Sequence, residues 1–87
     1  MRTYTIDIDD GRGPDEPYAL ELPDLQAARM EAARLLGEMV RQEPENFWQA
    51  MNWQVLVKDE TGLLLFELHA LAVEAPAVQR AGPRDLA

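Results

Sequence analysis

His69 is the only histidine in the chain and stands two residues after Glu67, a spacing that puts both side chains on the same side of a strand. A carboxylate beside an imidazole is the beginning of a general-base arrangement. No cysteine occurs and no other nucleophile accompanies the pair, while a metal centre needs three or four protein ligands. Glu67 and His69 therefore read as a solvated pair on a strand. Asp7, Asp9 and Asp10, followed by Gly11, invite a calcium-loop reading, but the spacing fails. Counted from Asp7, the sixth position is Arg12 where glycine belongs, and the twelfth is Tyr18 where a bidentate glutamate belongs. These aspartates read as a polar strand end entering a turn, and a weak cation site on Asp9, Asp10, Asp15 and Glu16 has no motif behind it. Gly11-Arg12-Gly13 runs into Pro14 rather than a helix start, so it is no phosphate loop. Asp59-Glu60 lies in a turn, and a domain this small offers little cleft for paired carboxylates to flank. The expectation is no catalytic residue, no cofactor, no metal and no small-molecule ligand.

Composition narrows the partners. The 87 residues are one domain's worth of chain, and 47% apolar with 28% charged residues describes a globular protein. The formal charge of −8 argues against binding a phosphate backbone and suits solubility. Acids concentrate in residues 1–24 and 42–74, leaving the stretch between near neutral, so a basic partner would meet the sheet or its loops. Without cysteine the fold must hold by packing alone. The N-terminal ten residues alternate polar and apolar and do not resemble a secretory signal. The longest apolar runs, Leu63–Phe66 and Ala70–Val73, fall far short of a membrane span. These features predict a cytoplasmic protein that binds neither nucleic acid nor membrane.

The elements follow from periodicity. Arg2–Asp9 alternates with Tyr4, Ile6 and Ile8 on one side, and Tyr18–Leu22 alternates again with Tyr18, Leu20 and Leu22. The glycines and prolines between them force a loop. Asp24 is placed to cap a helix from Leu25 to Arg41, whose stripe is Leu25, Ala28, Ala32, Leu35, Leu36 and Met39. Its alanines bring it close to what it covers, and a close backbone contact would account for Gly37. Pro44 ends that helix, and residues 45–51 fit either a short helical turn or a bulged lead into the next strand. Asn52–Lys58 is the third strand with Trp53, Val55 and Val57 inward, and Asp59-Glu60-Thr61-Gly62 is a hairpin turn. The fourth strand runs from Leu63 to about Ala72 with Leu64, Phe66 and Leu68 inward. Residues 1–74 make a single α+β domain and residues 75–87 a disordered tail.

The predicted architecture is two-layered, a four-stranded antiparallel sheet in the order strand-strand-helix-strand-strand with one amphipathic helix on one face. The opposite face then carries Leu56, Leu63 and Leu65 among Lys58, Glu67 and His69, with nothing left to cover them. Phe47 and Trp48 supply either an aromatic anchor beside that surface or a lid on the core. The expected role is non-catalytic contact with protein, through a homodimer or a heterologous partner.

Several segments also resemble a small bacterial domain family of unknown function. They are the alternating Tyr4, Ile6 and Ile8, the acidic glycine loop with Asp10-Gly11 and Asp15-Glu16, and the helix start Glu21-Leu22-Pro23-Asp24. Ala27-Ala28-Arg29 and Glu31-Ala32 in the helix, then Trp53, Val55, Val57, Asp59-Glu60, Gly62 and Leu65 in the hairpin, complete the resemblance over about residues 2–70. It implies the same fold and carries no catalytic residue over. Pro44–Met51 departs from the pattern. A fainter likeness, at fold level only, is to acidic antitoxin domains that cover a small basic RNase, which implies a basic protein partner as the alternative.

Overall fold

Two antiparallel hairpins are joined through their first strands, so the sheet reads β2-β1-β3-β4. The computed structural model describes residues 1–12 and 16–81. Strands β1 (Arg2–Asp9) and β2 (Tyr18–Leu22) precede helices α1 (Leu25–Gln42) and α2 (Pro44–Ala50), and β3 (Asn52–Lys58) and β4 (Leu64–Leu71) precede a short α3 (Pro76–Ala81). The two strands with the strictest alternation, β1 and β3, are the central pair, with Ile6 opposite Val57 and Ile8 opposite Val55. Residues directly opposite in an antiparallel pair share a face. Tyr4, Ile6, Trp53, Val55 and Val57 thus form one buried surface, and Ala28, Ala32 and Leu36 of α1 close over it.

Helix α1 begins where expected because the Asp24 carboxylate accepts from the Ala27 amide at 2.9 Å, satisfying a donor that has no partner within the helix. Glu31–Arg34 and Glu38–Arg41 pairs one turn apart line its exposed side. Pro44 cannot continue α1 and instead opens α2, where its missing N–H costs nothing. The ambiguous stretch 45–51 is therefore helical, ending at Met51, whose left-handed φ of 63° turns the chain into β3. Phe47 is the side chain that α2 buries, edge-on against Trp53 with ring centroids 5.4 Å apart.

Three expectations are corrected. Leu64 does not face the core. Val57 lies opposite Phe66 but Lys58 lies opposite Leu64, so Leu65 is an extra residue in β4 and the alternation slips by one. Leu64 consequently shares the outer face with Lys58 and is 45% exposed. Pro76–Ala81 is helix α3 where a disordered tail was expected, and residues 82–87 of that tail lie outside the described residues. Gly37 makes no close approach to the sheet, since it is exposed and a Cβ built there meets nothing within 4 Å. Replacing Gly37 with alanine should raise stability by about 0.5–1 kcal/mol through backbone entropy alone, read as a higher thermal midpoint.

Gly11 does have a steric reason. Its φ is +85°, and an added Cβ would stand 2.9 Å from the Ala50 Cβ at the end of α2. The loop after β1 is thereby held against α2 without room for a side chain. Gly11→Ala should cost about 1–2 kcal/mol from the left-handed backbone and the clash together. Thermal unfolding monitored by circular dichroism checks both glycine substitutions, which should move the midpoint in opposite directions.

Candidate interaction surface

Both α1 and α2 pack on the side of the sheet that carries Trp53, and no described segment covers the other side. Because opposite residues share a face, that outer side can be read row by row from the register. Thr5, Lys58 and Leu64 form one row, Asp7, Leu56 and Glu67 the next, then Asp9, Gln54 and His69, and finally Asn52 with Leu71. Lys58 Nζ lies 3.2 Å from Asp7 Oδ2 across β1 and β3. His69 Nε2 and Glu67 Oε1 are 3.0 Å apart, both side chains close to half exposed. The imidazole–carboxylate pair anticipated from spacing is thus formed, on an open sheet rather than in a cleft.

The candidate residues are only partly brought together. Leu56, Lys58 and His69 share the outer face. Leu63 precedes β4 in the hairpin connection, its amide and carbonyl engaged with Asp59. Leu65, the bulge residue, lines a depression of about 190 Å³ with Tyr4, Leu25 and Thr61 at one end of the domain. Phe47 belongs to the core, whereas Trp48 is 56% exposed on α2 and stands apart from the outer face. Sequence reasoning missed Leu64 and Leu71. Leu71 follows by the same alternation as Glu67 and His69 and could have been found, while Leu64 is hidden by the bulge in an unbroken apolar run. The corrected surface is more polar at its centre than expected, and its exposed apolar residues gather toward β4.

The aspartates near the first loop are occupied with turn formation. Asp9 Oδ1 accepts from the Gly11 amide and Asp10 Oδ1 from the Arg12 amide, each at 3.1 Å. The Arg12 guanidinium lies on both Asp10 and Glu43. Asp15 lies outside the described residues, and among the described residues no group of three His, Asp or Glu side chains converges as a metal site would require. None of the described helices is long and apolar enough to cross a membrane.

At the β3–β4 turn, Asp59 Oδ1 accepts from the Thr61 hydroxyl at 2.6 Å, the Thr61 amide at 2.8 Å and the Leu63 amide at 3.0 Å. The Thr61 hydroxyl first, then the Leu63 amide, hold the Asp59 carboxyl below its ordinary value of 3.8. A carboxyl whose folded pKa is depressed contributes stability above its unfolded value and loses that contribution as pH falls through the folded one. The stability difference between the wild type and Asp59→Ala should therefore shrink as pH is taken down from 5 through the carboxylate range, as denaturant titrations at each pH can show.

The edges of the sheet differ. β2 is five residues long, bounded by Pro17 and Pro23 and carrying Glu21. β4 is eight residues long, without proline or lysine, and beyond β3 and α1 no described element packs on it more than marginally. Short strands, prolines and charges protect an edge from pairing, and past its bulge at Leu65 β4 carries only Glu67 of these. A model of the domain of unknown function DUF6894 matches residues 3–72, which takes in all but the first residue of the sheet together with α1 and α2. The chain belongs to the DUF6894 family. No curated protein and no solved structure matches. The DUF6894 span closes on the last residues of β4, leaving α3 outside it.

Proposed function

We propose that this domain acts by contact with protein through the uncovered side of its sheet, without catalysis and without a small-molecule, nucleic-acid or membrane ligand. The observation that carries the reading is one-sided cover: both core-forming helices lie on one face, while Leu56, Leu64 and Leu71 stand on the other. Absence of cysteine fits a cytoplasmic setting. Native pull-down with the wild type beside a Leu56→Glu, Leu64→Glu variant tests it. A partner retained by the wild type and lost by the folded variant supports the reading. Identical capture by both, or association that follows Trp48 on the helical side, contradicts it.

A second reading is the antitoxin-like one, in which the face covers a small basic protein. Asp7, Asp9, Glu21 and Glu67 against Lys58 and His69 give that side an acidic balance. Such a complex should weaken steeply as salt is raised.

A further inference from the structure

We infer that β4 is a self-complementary edge, and that a second copy of this chain pairs with it antiparallel about a two-fold axis through Leu68. The inference goes beyond the face contact proposed above: it concerns the free edge of β4 and leaves the face with Leu56, Leu64 and Leu71 open. Ala72 donates to Met51 O, and Asp59 donates to Leu63 O, so these pairs are hydrogen-bonded ones. Hydrogen-bonded and non-hydrogen-bonded pairs alternate along an antiparallel ladder. From Ala72 backward, Ala70, Leu68 and Phe66 therefore turn their amides and carbonyls toward β3, and Leu71, His69 and Glu67 turn theirs outward. A partner strand can bond only to this second set.

Identical antiparallel strands must then match members of that set with each other. Three central registers are available. One sets Glu67 against the partner's Glu67, placing like charges face to face, and another sets His69 against the partner's His69. The third sets Glu67 against the partner's His69 and, by symmetry, His69 against the partner's Glu67. Only the third opposes an acid with a base, and it does so twice. On the opposite face it seats Leu68 on the partner's Leu68 and the large Phe66 on the partner's small Ala70. Directly opposed side chains of this kind are the unit of sheet stabilisation. The product is a continuous sheet of eight strands with both helical layers on one side, closed by the two-fold so that no β4 edge is left for a third copy.

Sedimentation equilibrium on the full chain at low salt, over micromolar to millimolar concentration, supplies the test. The wild type should dimerise. His69→Glu, at an exposed position, should weaken the dimer roughly tenfold, because it puts like charges opposite one another twice, and Glu67→Lys should weaken it because it removes the carboxylate that faces the partner's imidazole. The two substitutions in one chain should restore association, and an equimolar mixture of the two single variants should form a heterodimer in preference to either homodimer. The register has its own readout, since the chain has no native cysteine. Leu68→Cys should oxidise rapidly to a disulfide dimer, its Cα atoms about 4.5 Å apart, whereas Leu71→Cys, about 20 Å from its counterpart, should not.

A wild type that is monomeric throughout overturns the inference. So does a dimer that ignores both charge reversals or cross-links through Leu71→Cys. The contact reading survives either result if Leu56→Glu, Leu64→Glu still abolishes a partner, and falls with the inference if it does not.

Discussion

Trp53→Ala should be the most destabilising single substitution in the chain. Trp53 is fully buried in a central strand, with the Phe47 ring edge-on against it and Val55 and Val57 beside it in the same core. Removing a large aromatic from such a site costs about 3–5 kcal/mol, since the hole is only partly filled by relaxation. A domain of this size holds a total of about 4–13 kcal/mol. The loss is therefore a large share of what keeps it folded. Among the described residues no group accepts from the indole N–H of Trp53, which adds a refinement. Trp53→Phe discards a buried donor that none of the described residues accepts from, so it should cost much less than its lost area suggests. Far-ultraviolet circular dichroism through a thermal ramp separates the two: a steeply lowered midpoint for Trp53→Ala and a moderately lowered one for Trp53→Phe.

Ala32→Leu should be the next most damaging, for the opposite reason. Ala28 and Ala32 are buried to within 1% of completely where α1 rests on the sheet, and their small size sets how closely the two layers meet. Extra methyl groups at Ala32 would push the helix away or force strained rotamers, at about 1–3 kcal/mol. Each kilocalorie is worth roughly 4–8 °C of thermal midpoint in a domain of this size. Ala33, the next residue, is exposed on the same helix. Ala33→Leu should leave the midpoint almost unchanged, so the pair of variants distinguishes overpacking from helix propensity.

The legible and the illegible parts of this fold divide on a physical line. β1, β2 and β3 could be bounded from residue type because each alternates strictly and is flanked by turn-forming or capping residues. Asp24 could be assigned as the cap because its position before an apolar stripe leaves a helical amide for it to satisfy. Strand order was not readable, since two hairpins can be joined along any of their edges and only the side-chain fit of Ile6 and Ile8 against Val57 and Val55 chooses. Leu63-Leu64-Leu65-Phe66 has no alternation to reveal a bulge, so the faces of Leu64 and Leu65 could not be told from one another. That single slip put Leu64 on the outer face where Leu63 and Leu65 were expected. α3 has no apolar period to announce it, and Pro76 at its first position is its only mark.

The outer backbone of β4 offers the most direct test of the claim that the open edge of this sheet is where the domain meets a second copy of itself. Residue-resolved amide hydrogen exchange, run on dilute and on concentrated protein, reports on Glu67, His69 and Leu71, whose amides point out of the sheet. The account predicts fast exchange at these three positions when dilute and marked protection when concentrated, with α1 and α2 unchanged. Fast exchange at all three under both conditions, with new protection arising on the helical side instead, would contradict it.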